Sequence, residues 1–378
     1  MRTTADGPEV LPGSSAAPAP TPGPPGLDPD DVITVPDATR LTAGWLAAGI
    51  GAVFLALVVG ISVGPVEGHA HRAALELFDH LPLVDVDSGL SATERAIVWE
   101  IRTPRVVLGL IVGALLAGSG AGYQGVFRNP LADPYLLGIA AGAGLGATLA
   151  IVGGLGDGLG ILDPIPVAAF VGALIAVSAA ALLSVRRSGS TSPATLILAG
   201  VAVAAFFTAV QTYVQQRNAD TLRQVYAWIL GRLSTTGWDE VLVVLPYLVV
   251  CGAVLVISVG ALDVLAVGDE EAESLGLRPR RVRAAVLLAS SLATAAAVAV
   301  SGLIGFVGLI VPHGVRLLAG VSNRRVVPLS LLFGGAFLAL ADVLARTVQS
   351  PAELPIGVVT AFVGAPFFLA ILRSQGTT

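Results

Sequence analysis

The chain has 378 residues, 54% of them hydrophobic and only 12% charged, with a mean hydropathy of +0.83 and a formal net charge of −5. A soluble domain carries about 25% charged residues, so a water-soluble globular class is excluded. All 21 basic residues are arginine, which excludes a Walker-type phosphate loop, because that loop needs its lysine on the nucleotide phosphates.

Residues 1–40 include the low-complexity run "PGSSAAPAPTPGPPG" followed by the acidic "DPDD". This composition predicts a disordered, Pro-rich cytoplasmic tail. It does not read as a signal peptide, because the first apolar stretch starts near Leu41.

From there on, charge-free runs dominate: 106–127, 134–156, 164–185, 188–216, 241–262, 284–312 and 354–372. Roughly 20 helical residues at ~1.5 Å each cross the hydrocarbon core. The fold class expected is an all-α polytopic membrane protein. Ten spans are predicted, at 41–63, 97–122, 134–153, 164–184, 193–215, 241–261, 284–301, 303–312, 326–346 and 355–372. They make a transmembrane domain over 41–373, with a short C-terminal tail at 374–378. The run 284–312 is too long for one upright span, and the glycines of "VSGLIGFVG" predict a reversal inside it. The eighth span is therefore a short helix ending at Pro312-His313, with His313 at the interface satisfying freed carbonyls.

Cytoplasmic loops collect arginine. With both termini inside, most arginines fall inside, among them Arg128, Arg186, Arg187, Arg278, Arg280, Arg281, Arg283, Arg316, Arg324 and Arg325. Arg102, Arg105 and Arg346 then lie outside. So do His69, His71 and His80, which read as a solvated loop or as a metal-binding His-x-His pair beside acids. The inside loop 262–283 contains "LDVLAVG" and "SLGL", apolar pieces that a solvated loop does not need. They suggest short helices that dock a partner. The spans are nearly bare of ionisable groups except Asp342, with Arg346 one turn on and able to pair with it. An ion-coupled secondary transporter would need more buried carboxylates. No catalytic residue, no metal-ligand set and no nucleic-acid-binding feature is expected.

Several stretches, in this order, resemble one family. They are "IRTPRVVLGLIVGALLAGSGAGYQGVFRNPLADPYLLGIAAGAG" (101–144), "YAWILGRL" (226–233), "LDVLAVGDEEAESLGL" (262–277), "GLIGFVGLIVPHGVRLLAG" (302–320), "ADVLART" (341–347) and "ELPIGVVTAFVGAPFFL" (353–369). They are similar to the permease subunits of ABC importers for iron chelates, haem and cobalamin. The resemblance implies a type II importer permease with an inverted repeat, spans 2–5 against spans 7–10. It implies a second permease copy, two separate ATPase subunits carrying the ATP and Mg that this chain does not bind, an extracytoplasmic binding protein, and a metal-chelate cargo. A ferric siderophore is favoured over haem or cobalamin. The expected location is the bacterial cytoplasmic membrane.

Residue roles follow from the same resemblance. Arg102, Arg105 and Arg346 would dock the binding protein, with lipid-interface snorkelling as the other reading for Arg102 and Arg105. Asn129, Leu131, Thr191 and Ser192 would form the cytoplasmic gate, although Asn-Pro and Ser-Pro also start ordinary turns. Gly268, Asp269, Glu270, Glu271, Ala272, Glu273, Ser274, Leu275 and Gly276 would seat in a groove of the ATPase.

Overall fold

The computed structural model describes residues 41–63, 72, 75–76, 89–155, 163–185, 193–233 and 237–375. The 1–40 tail, His69, His71, His80, Thr191, Ser192 and the last residues of the C-terminal tail lie outside them. Among the described residues the ordered elements are helical throughout. They are α1 (Ala43–Ser62), α2 (Ala92–Phe127), α3 (Ile139–Val152), α4 (Pro164–Ser184), α5 (Pro193–Arg217), α6 (Leu222–Ile229), α7 (Asp239–Ile257), α8 (Val259–Val267), α9 (Asp269–Ser274), α10 (Pro279–Ser301), α11 (Val307–Ala319), α12 (Asn323–Thr347) and α13 (Ile356–Gln375).

Seven of these helices, α1, α2, α4, α5, α7, α10 and α12, are long and apolar enough to cross a membrane, and α3, α11 and α13 are shorter apolar helices. They correspond one for one to the ten predicted spans. The long helix α2 is central, and its apolar part from Thr103 to Val126 is almost wholly buried. It starts with a Ser91–Glu94 capping box and passes through a π-helical stretch at Ile97–Arg102.

The packing shows an inverted repeat. Exchange α2 with α10, α3 with α11, α4 with α12 and α5 with α13. The α2–α12 contact then maps onto α10–α4, α3–α4 onto α11–α12, α4–α5 onto α12–α13, and α2–α11 onto α10–α3; all of these pairs pack. The contact of α2 with α10 maps onto itself. Local geometry repeats as well: each short helix, α3 and α11, starts after a left-handed residue, Gly138 (φ 82°) and Phe306 (φ 68°). Small residues let these helices meet at backbone distance. A β-carbon on Gly113 would strike the Gly334 carbonyl of α12, and one on Gly142 the Gly172 carbonyl of α4.

The eighth span needs correction. It was expected at 303–312 with its end at Pro312-His313; it runs instead from Val307 to Ala319, with both residues inside the helix and buried. Proline removes the hydrogen bond that its amide would give to the carbonyl four residues back, here Gly308. The helix continues because Gln124 of α2 supplies the missing donor: its Nε2 reaches the Gly308 and Leu309 carbonyls at 3.4 Å each. His313 is therefore not a helix-end cap. Its ring packs edge-on against Phe367 of α13, centroids 6.4 Å apart, and neither ring nitrogen meets a hydrogen-bond partner among the described residues.

Candidate functional site

Among the described residues, the site residues expected from the sequence gather at the two ends of the bundle. The start of α2, the end of α12 and the loop before α13 make one cluster. Arg105 donates from Nε and Nη2 to Asp342, at 3.0 Å to Oδ2 and 2.9 Å to Oδ1, and from Nη1 and Nη2 to Glu353, at 2.8 and 2.9 Å. Asp342 is 2% exposed, against 46% for Glu353. Arg346 lies 3.5 Å from Asp342, so the predicted i,i+4 pair is present, but it is the weaker half of a three-way arrangement. Arg346 also donates to the Gly60 carbonyl, and Arg102 to the Ile61 carbonyl at 3.3 Å, so both arginines hold the last turn of α1. Basic side chains at a helix C-terminus satisfy its open carbonyls and complement its dipole. The Arg105 hydrogen bonds and charge hold the Glu353 carboxyl below its ordinary range, against a smaller opposing effect of burial. Sequence reasoning missed Glu353: it sits in "PAELP", and nothing local in that loop points to an arginine 248 positions earlier.

At the opposite end, the loop 262–283 folds into α8 and α9 before α10 begins. Asp269, the first residue of α9, accepts from Arg283 at 2.7 and 2.5 Å and from Arg128 at 2.5 Å. The Arg283 hydrogen bonds, with a further contribution from Arg128, lower the Asp269 pKa. Ser322 and the Asn323 amide donate to Asp263 at 2.7 and 2.6 Å, which ties α8 to the start of α12. In the 268–276 stretch Ala272 is buried, while Asp269, Glu270, Glu271, Glu273, Ser274, Leu275 and Gly276 are exposed and Gly268 is half-buried. Leu275 is 70% exposed and Val267 75%, at the two ends of α9.

Arg128 closes α2 in the left-handed region (φ 50°) and leads directly into the "NPL" turn. Asn129 Oδ1 accepts from the Leu131 amide at 2.9 Å, the side-chain-to-backbone bond of an Asx turn. Asn129 and Leu131 are both exposed. The turn geometry is thus present, and it leaves both side chains on the surface. A cavity of about 400 Å³ lies between the ends of α2 and α4 and the starts of α5 and α10, lined by Phe127, Leu137, Val185, Leu196, Arg283 and Leu287 among others.

Comparison with known proteins now adds the family. Residues 50–374 match the description of the FecCD transport family. The chain belongs to that family. It is 44% identical over 287 residues to the cobalamin import system permease protein BtuC of Halobacterium salinarum, covering 76% of each chain. It is 41% identical over 283 residues to the hemin transport system permease protein HmuU of Yersinia pestis, covering 74% of this chain and 84% of the relative. A solved inward-facing structure assigned to the metal-chelate type of ABC transporter superposes with a TM-score of 0.75 at 28% identity, covering 88% of this chain and all of the other. As a FecCD member the chain is a multi-pass ABC permease with the type II importer fold, and the resemblance read from its motifs holds.

Proposed function

We propose that the chain forms the membrane path of an ATP-driven importer that takes in an intact metal chelate. The observation that carries this reading is the arrangement at the 262–283 end. A short helix, α9, presents acidic side chains outward, with Val267 and Leu275 exposed at its two ends, while Asp269 fastens it to both α2 and α10. Such a helix suits a rigid connection to a separate motor subunit, here two ATPases supplying ATP and Mg chemistry. A second permease copy completes the path, and an extracytoplasmic binding protein delivers cargo to the end with Arg102, Arg105 and Arg346. Both termini lie in the cytoplasm of a bacterial inner membrane. Asn129, Leu131, Thr191 and Ser192 act as the inner gate.

The relatives named above are assigned cobalamin and hemin at similar identity, which supports a bulky metal chelate as the class. A ferric siderophore is the first cargo to test, with haem and cobalamin beside it. A strain lacking this chain would be offered each labelled compound. Loss of uptake of one of them, restored by the gene and abolished by collapsing ATP, is the expected result. Uptake that survives ATP depletion but follows the ion gradient would sink the reading in favour of a secondary transporter.

A further inference from the structure

We propose that Glu353 is an intramolecular stand-in for the carboxylate that a docking partner brings to Arg105. The inference rests on the docking role proposed above. A guanidinium offers carboxylates two bidentate edges, Nε with Nη2 and Nη1 with Nη2. Both edges of Arg105 are taken, the first by Asp342 and the second by Glu353. An incoming carboxylate therefore finds no open edge and must displace one of the two.

The two exchanges differ in cost. Asp342 is 2% exposed and also faces Arg346 at 3.5 Å. Moving it would leave charges stranded away from water, a heavy penalty. Glu353 is 46% exposed and lies in the loop between α12 and α13, so water takes up its carboxylate as it leaves. Exchange at the Glu353 edge is the open route. Within this cluster Arg102, Arg105 and Arg346 outnumber Asp342 and Glu353 by one charge, and release of Glu353 from Arg105 leaves the three arginines facing Asp342 alone. A partner with a projecting Asp or Glu then gains the bidentate pair, and a neutral group cannot compete for it. The held Glu353 thus sets a threshold that only a well-aimed acidic surface passes.

The test uses the full-length permease in nanodiscs and, as probe, the extracytoplasmic binding protein that co-purifies with the tagged permease from native membranes. Affinities would be measured for wild type, Glu353→Gln and Arg105→Gln. Glu353→Gln is expected to tighten binding about twofold to fivefold, the range of an exposed ion pair, and Arg105→Gln to weaken it. Tightening should fade at high salt. If Arg105→Gln weakens binding while Glu353→Gln weakens it or leaves it unchanged, the docking reading stands and the stand-in is overturned. If Arg105→Gln leaves binding unchanged, the docking reading itself falls. Thermal unfolding of each variant shows whether a weakened affinity reflects a damaged fold; a variant no longer folded at the temperature of the binding measurement is replaced by Glu353→Ala or Arg105→Ala, read against the same outcomes.

Discussion

Gln124 on α2 donates to the Gly308 carbonyl on α11 at 3.4 Å, filling the place of the amide that Pro312 lacks. The same side chain accepts from Arg316 through Oε1. One amide, 2% exposed, therefore satisfies a proline break and an arginine inside an apolar bundle.

Gln124→Leu removes both interactions and leaves the Gly308 carbonyl and the Arg316 guanidinium without that partner. A buried polar group left unsatisfied costs about 1–3 kcal/mol, more when charged. A clear drop in thermal midpoint in detergent or nanodiscs is expected. Pro312→Leu restores an amide for Gly308, so the double variant should lose less than the sum of the single changes. Strict additivity would show that Gln124 and the proline break are uncoupled.

Asp342 carries the second prediction. Asp342→Asn keeps the shape but leaves Arg105 and Arg346 facing each other with less compensation. Breaking a buried pair by removing one charge costs about 3–5 kcal/mol. Glu353→Gln, on an exposed group, should cost about 1 kcal/mol or less. Thermal unfolding of the two variants side by side checks the ranking; equal losses would mean that burial of Asp342 has no energetic weight.

How far the sequence could be read has a physical pattern. Spans were legible because each is a run of apolar residues, and a run is a local property. The end of the eighth span was misplaced because a proline reads locally as a stop. What overrides the stop is Gln124, 184 residues before the Gly308 carbonyl that it reaches, and no local rule contains it. The pairing of Asp342 with Arg346 was legible as i,i+4 spacing, whereas its stronger partner, Arg105, comes from another helix. The turn at Asn129 and Leu131 was legible as the other reading beside a gate, since an Asx turn is made within three residues.

The pH response of the α9 clamp has a definite sign. Arg283 first, and Arg128 with it, lower the Asp269 pKa. A depressed carboxyl stabilises the fold above its unfolded value, about 3.9, and that contribution disappears as pH falls through the lower folded value. Asp269 is 47% exposed, so the contribution is about 1 kcal/mol at most. The stability difference between wild type and Asp269→Asn should stay constant from about pH 8 down to about pH 4.5, then shrink progressively and vanish once pH is below the lowered folded value. A difference already shrinking near neutrality would contradict the clamp.

Leu275 gives the last prediction. It follows the six-residue helix α9 and is 70% exposed, in a loop where Leu262 and Leu265 are buried in the bundle. An apolar side chain held out in water at the tip of a fastened helix contributes nothing to the fold of the isolated chain, but it adds contact area once a partner groove covers it. Leu275→Glu should therefore leave the thermal midpoint of the isolated permease unchanged and reduce the ATPase that co-purifies with it. Burying a leucine is worth about 1.5–3 kcal/mol, so association should weaken on the order of tenfold or more. Leu262→Glu is the contrasting variant: it should damage the fold itself. If Leu275→Glu retained full ATPase association, α9 would not be the seat of the motor, and the connection would have to be sought elsewhere on the same face.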